Sequence, residues 1–96
     1  MTTEETLKKI IPGKTYPAEV TVNDTFEGKP MVVKFCFNSF FVGMYCCVYI
    51  NGNVASQGGD HNNKSCIASL KKDLKKALAR GATVEIGDIR QVKTSP

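Results

Sequence analysis

Ninety-six residues suffice for one hydrophobic core, and 42% apolar with 23% charged residues is an ordinary globular balance that excludes disorder over most of the length. No apolar run reaches the roughly 18–20 residues of a membrane span, and residues 1–9 are polar with two acids, unlike a secretory leader. The net charge of +4 is uneven: five lysines face six acids up to Asn63, and eight Lys/Arg face three acids from Lys64 onward.

Thr2 and Glu5 have capping-box spacing, which predicts a short first helix with Leu7, Ile10 and Ile11 on one face and Pro12-Gly13 as its stop. From Tyr16 the period changes to two. Tyr16, Ala18, Val20 and Val22 alternate with polar neighbours as a first strand, and residues 23–28 form a polar turn. Met31, Val33, Phe35 and Phe37 mark a second strand that breaks at Asn38-Ser39.

The stretch from Phe40 to Ile50 is apolar on both faces, the pattern of a central strand covered on each side. Asn51-Gly52 then predicts a tight hairpin, because a type I′ turn needs positive φ at both central positions. A short fourth strand over residues 53–56 follows, then a mobile loop from Gly58 to Asn63.

Asn63 is a cap for the longest helix, Lys64 to Arg80, which Gly81 closes. Cys66, Ile67, Leu70, Leu74, Ala77 and Leu78 share its apolar stripe. Ala82, Val84 and Ile86 form a last strand, Gly87-Asp88 a bulge or end, and residues 93–96 a frayed tail. The expected fold is one α+β domain over residues 1–96, with a short N-terminal helix and a mostly antiparallel sheet of four to five strands. One long helix packs on one face of that sheet, in the order α-β-β-β-β-α-β.

Known catalytic motifs are absent, so the expectation is a chain that is not an enzyme and takes no cofactor. His61 is the only histidine, and adjacent Cys46 and Cys47 point to opposite faces of a strand, so no metal site is expected. Without a leader, the cysteines should be reduced and the compartment cytoplasmic, that of the host cell if the chain is phage-encoded. Asp60, His61 and Cys66 have the ingredients of a thiol nucleophile at a helix start, but Cys66 also belongs to the buried stripe, and that reading is preferred.

Two surfaces stand out. Lys64, Lys71, Lys72, Lys75, Lys76 and Arg80 cover the polar face of the long helix, with Asp73 as its only acid. Like charges four residues apart cost about 0.2–0.5 kcal/mol each, so this face suggests an anionic partner, either an acidic protein surface or nucleic acid. Phe41, Tyr45 and Tyr49, with Cys47, occupy the side of the third strand away from the long helix. They form an apolar interface candidate unless the first helix or a second copy of the chain covers them.

The helix, the strands, the Asn51-Gly52 turn, Gly58-Gly59 and a lysine-bearing helix follow in an order that resembles a double-stranded RNA-binding domain over about half the chain. That resemblance implies phosphate contacts from the second helix's first turn, where this chain has only Lys64. In size and plan the chain also resembles small accessory proteins of phages and mobile elements. The functional expectation is a non-catalytic binding protein, an inhibitor or adaptor that docks on a partner protein or nucleoprotein complex. The alternative is a nucleic-acid-binding domain that uses the basic helix.

Overall fold

A computed structural model describes residues 2–40, 43–60 and 62–93. Thr2 caps α1 (Thr3–Lys8), its side chain accepting from the Glu5 amide at 3.1 Å. After Pro12, Gly13 turns the chain at φ +84°. The strands are β1 (Thr15–Pro17), β2 (Glu19–Phe26), β3 (Lys29–Phe40), β4 (Gly43–Ile50) and β5 (Asn53–Asp60). Helix α2 (Asn63–Ala79) follows, then β6 (Thr83–Ile86) and β7 (Ile89–Gln91).

The fold is α+β. Strands β2 to β6 form an antiparallel five-stranded sheet in the order β5-β4-β3-β2-β6, and β1 pairs with β7 in a small second sheet. The central strand is therefore the twelve-residue β3, with β4 one place in from the edge.

Ladder register assigns the faces, because paired residues point the same way and neighbours along a strand point apart. Val20 lies beside Phe35 and Ile86, Phe35 beside Val48, and Phe37 beside Cys46. From this face Val20, Val22, Phe37, Met44 and Val84 enter the core together with Ile67, Leu70, Leu74 and Ala77 of α2. The same core takes Leu7 of α1, the following Ile10, and Tyr16 of β1, with Ile89 of β7 against it. Both helices and the small sheet thus pack on one face of the large sheet. Ile10, Ile67 and Val20 are fully buried there.

Five local differences from the sequence reading have physical causes. The polar turn expected over residues 23–28 shrinks to Glu27-Gly28, both at positive φ, because Asn23 to Phe26 find ladder partners from Val32 back to Lys29. The strand expected from Tyr16 breaks at Ala18, whose amide donates to the Asp88 carbonyl at 2.7 Å and whose carbonyl accepts from the Phe37 amide. Those distant bonds split it into β1 and β2. The break at Asn38-Ser39 is absent, since Asn38 pairs with Tyr45 and Ser39 with Met44. Ser39 is buried, and its hydroxyl accepts from the Lys93 amide at 2.9 Å. The mobile loop expected from Gly58 is instead strand: Gly58 pairs with Cys46 and Gly59 with Tyr45, because β4 offers a full ladder that outweighs glycine's weak preference for strands. Finally, α2 is capped by Asn62 rather than Asn63, with Asn62 Oδ1 accepting from the Ser65 amide at 3.1 Å. The tail residues 94–96 lie outside the described residues.

Asn51 and Gly52 have φ +49° and +85°, as the expected turn requires. Asn51 also ties the hairpin to its neighbour, since its Oδ1 accepts from the Val32 amide at 2.9 Å and its own amide donates to the Val32 carbonyl.

Candidate functional site

The open face of the sheet is built by alternation. Lys34, Cys36 and Asn38 of β3 pair with Tyr49, Cys47 and Tyr45 of β4, which places all six on the side away from α2. On β5, Val54 pairs with Tyr49 and Gln57 with Cys47, a bulge between Ser56 and Val54 keeping both in phase with that face. Nothing among the described residues covers it, because α1 went to the other side with α2. The expectation that β4 has cover on both faces is thus corrected. Leu7 and the following Ile10 are spent sealing the helix-side core.

This face is apolar and partly wet. Tyr45 is 38% exposed and Val54 56%, and Tyr49 is half-buried. Cys47 is buried although it is no part of the main core, sheltered by its neighbours on this side. The Tyr45 hydroxyl donates to Gln57 Oε1 at 3.1 Å, which holds the ring across the β4–β5 pair. A side-chain hydrogen bond with Cys47, followed by the electrostatic influence of that neighbour and by burial, raises the Tyr49 pKa. Burial raises the Cys36 thiol, and the Glu19 carboxylate adds to the shift. Lys34 and Glu19 form a 3.6 Å ion pair at the polar margin of the patch.

Of the three residues expected to make this surface, Tyr45 and Tyr49 are there and Phe41 lies outside the described residues. Sequence reasoning missed Val32, Phe40 and Val54, all exposed and all on this face by alternation or pairing. The even-numbered parity of an unbroken β3 would have found the first two. The break placed at Asn38-Ser39 hides only Phe40, whereas Val32 stands before it in phase with Lys34 and Cys36.

The basic face of α2 lies on the opposite side of the molecule. Lys64, Lys72, Lys75 and Lys76 are exposed and Lys71 is half-buried. None of the five has a carboxylate within ion-pair distance among the described residues. Arg80 behaves differently. Its Nε and a terminal nitrogen both donate to Asp24 Oδ2, at 2.8 and 2.7 Å, which fastens the end of α2 to β2. The Thr25 amide and then the Arg80 guanidinium hold the Asp24 carboxyl below its ordinary pKa.

Because Tyr45 and Tyr49 point away from α2 and the lysines of α2 point away from the sheet, the two faces stand on opposite sides of two packed layers. A flat partner seated on one does not reach the other.

Cys46 points toward α2, and burial there pushes its thiol up to about 11. Cys66 is half-buried against the core at the start of α2. No disulfide joins the four cysteines. His61 lies outside the described residues, so the Asp60-His61-Cys66 grouping has no described geometry. Among the described residues no group of three His, Cys, Asp or Glu is placed to hold a metal ion, and no helix is long and apolar enough to cross a membrane. The chain matches no protein-family model, no curated protein and no solved structure.

Proposed function

We propose that this chain is a non-catalytic binding protein that docks a protein partner on the open face of its sheet, in the manner of an inhibitor or adaptor. One observation carries the reading: α1 packs beside α2, which leaves the apolar face of β3, β4 and β5 without cover among the described residues. Tyr45, Tyr49, Val32 and Val54 then lie on one rigid, hydrogen-bonded surface. Rigid aromatic side chains with a polar tip give large contact area at little entropic cost, the usual make-up of interface anchors.

The test is quantitative capture with three forms of the full chain: the unaltered protein, Tyr45→Ser/Tyr49→Ser, and Lys72→Glu/Lys76→Glu. A protein retained by the unaltered and lysine-altered forms but lost with the tyrosine-altered form supports docking on the sheet. Retention that ignores the tyrosine substitutions, with the fold intact by circular dichroism, overturns it. Sedimentation of the unaltered chain across a concentration series separates a foreign partner from a second copy.

A further inference from the structure

Helices α1 and α2 do not close on each other completely. Between them runs an open groove of about 480 Å³ with Leu7, Leu78 and Ala79 on its lining and Lys8, Lys71 and Lys75 around it. Among the described residues Glu4 is its one acid. The apolar lining is continuous with the core, since Leu7 is buried and Leu78 packs against the same cluster. Lysine is well suited to such a rim, because its aliphatic stem lies along apolar surface while the ammonium stays in water.

We infer that this groove is a second docking site, distinct from the sheet face, whose ligand is an acidic amphipathic segment of a partner protein. Charge complementarity selects the sign: three ammonium groups face one carboxylate, and neither Lys71 nor Lys75 has an ion-pair partner among the described residues. The apolar lining selects the character, because a purely ionic ligand gains nothing from Leu78 and Ala79. The volume falls within the roughly 300–1,000 Å³ typical of sites that bury a compact apolar group.

Length separates a peptide from a small amphiphile. Lys64 continues the row of Lys71 and Lys75 along the same side of α2, at i, i+7 and i+11, a span of roughly 16 Å at about 1.5 Å per residue. A single small anion answers one or two of these lysines, whereas a segment with repeated carboxylates answers the row. Nucleic acid fits less well. The groove has no aromatic ring or guanidinium on which a base would stack, and Arg80 is held by Asp24. The mode is helix-in-groove recognition, with one or two apolar anchors seated on Leu78, Ala79 and the lysine stems and carboxylates on the ammonium groups.

The experiment is an NMR titration of the isotope-labelled full chain with a synthetic peptide of about fourteen residues, glutamate-rich with leucines at i and i+4. Its comparators are the same peptide with serine for leucine, oligothymidylate of equal charge, and a medium-chain carboxylate. The expected result is saturable shifts centred on Leu7, Lys8, Lys71, Lys75 and Leu78. Affinity should fall about tenfold or more both for the serine peptide and for Lys71→Glu/Lys75→Glu. Lys8→Glu, on the opposite wall and exposed, gives the same loss should the double substitution disturb α2. Tyr45→Ser should bind the peptide unchanged.

Equal affinity for the serine peptide or for oligothymidylate would reduce the face to a charge surface and overturn the inference. Tighter binding of the carboxylate, or shifts that bypass Leu7 and Leu78, would overturn it as well.

Discussion

Adjacent residues at the start of β4 face opposite sides of the sheet and meet opposite fates. Met44, toward α2, is 2% exposed, whereas Tyr45, one residue on, is 38% exposed. Hydropathy does not separate them; what each face finds above it does. The side toward α2 receives two helices and the small sheet, and the other side receives nothing among the described residues. An apolar pattern therefore states what a strand is able to bury, while the supply of covering elements decides what it does bury. The surplus is left on the surface with side chains suited to recognition.

The comparison is tested most strongly by truncating one side chain on each side of the sheet. Leu74→Ala, at a site 1% exposed, should cost about 2–5 kcal/mol, read as a lower urea midpoint with an unchanged slope. Tyr45→Ser gives up a partly wetted ring and one exposed hydrogen bond, and should cost about 1 kcal/mol or less. Equal losses would mean that the tyrosine face has cover in solution, and a concentration-dependent midpoint for the unaltered chain would identify that cover as a second copy.

A chemical probe sharpens the same contrast. Cys46 beneath α2 titrates near 11, so at pH 8 its thiolate is about a hundredfold scarcer than that of an ordinary thiol at 9.0. Cys36 on the open face is also raised by burial, yet it stands outside the core cluster that shuts in Cys46. Iodoacetamide at pH 8, followed by peptide mass mapping, should alkylate Cys36 well before Cys46. The reverse order would show α2 lifting from the sheet faster than reagent reaches the open face.

Much of this architecture is legible in the chain because its signals are local. Thr2 with Glu5, the stripe from Ile67 to Ala77 and the Asn51-Gly52 turn each act within a few residues. What was not legible depends on distant partners. No residue near Ala18 announces that Asp88 and Phe37 will divide the first strand, and Gly58-Gly59 reads as a loop until β4 pairs with it. The sites follow the same rule. Tyr45, Tyr49 and the lysines are visible by period, and the two-residue turn sets Val54 opposite Tyr49, but Gln57 reaches the tyrosine face only through a bulge in β5. The groove at Leu7 and Leu78 exists only because α1 docks beside α2.

The pair that seats α2 on the sheet gives the smallest effect. Asp24 ionises below its ordinary value of 3.8, held there by the Thr25 amide and by Arg80. A carboxyl whose pKa falls on folding stabilises the folded state above its unfolded pKa, and that stability is lost as pH drops through the folded value. Arg80→Ala should therefore lower the Tm slightly at neutral pH, and the gap from the unaltered chain should close as pH is taken below the carboxylate range. Lys76→Ala, one turn earlier and without an ion pair among the described residues, should show no such gap at any pH. Thermal melts of the three chains from pH 7 to pH 2.5 distinguish the cases. If Lys76→Ala showed a gap closing like that of Arg80→Ala, the lysine face would carry carboxylate partners in the folded chain, and its availability for an acidic ligand would fail with it.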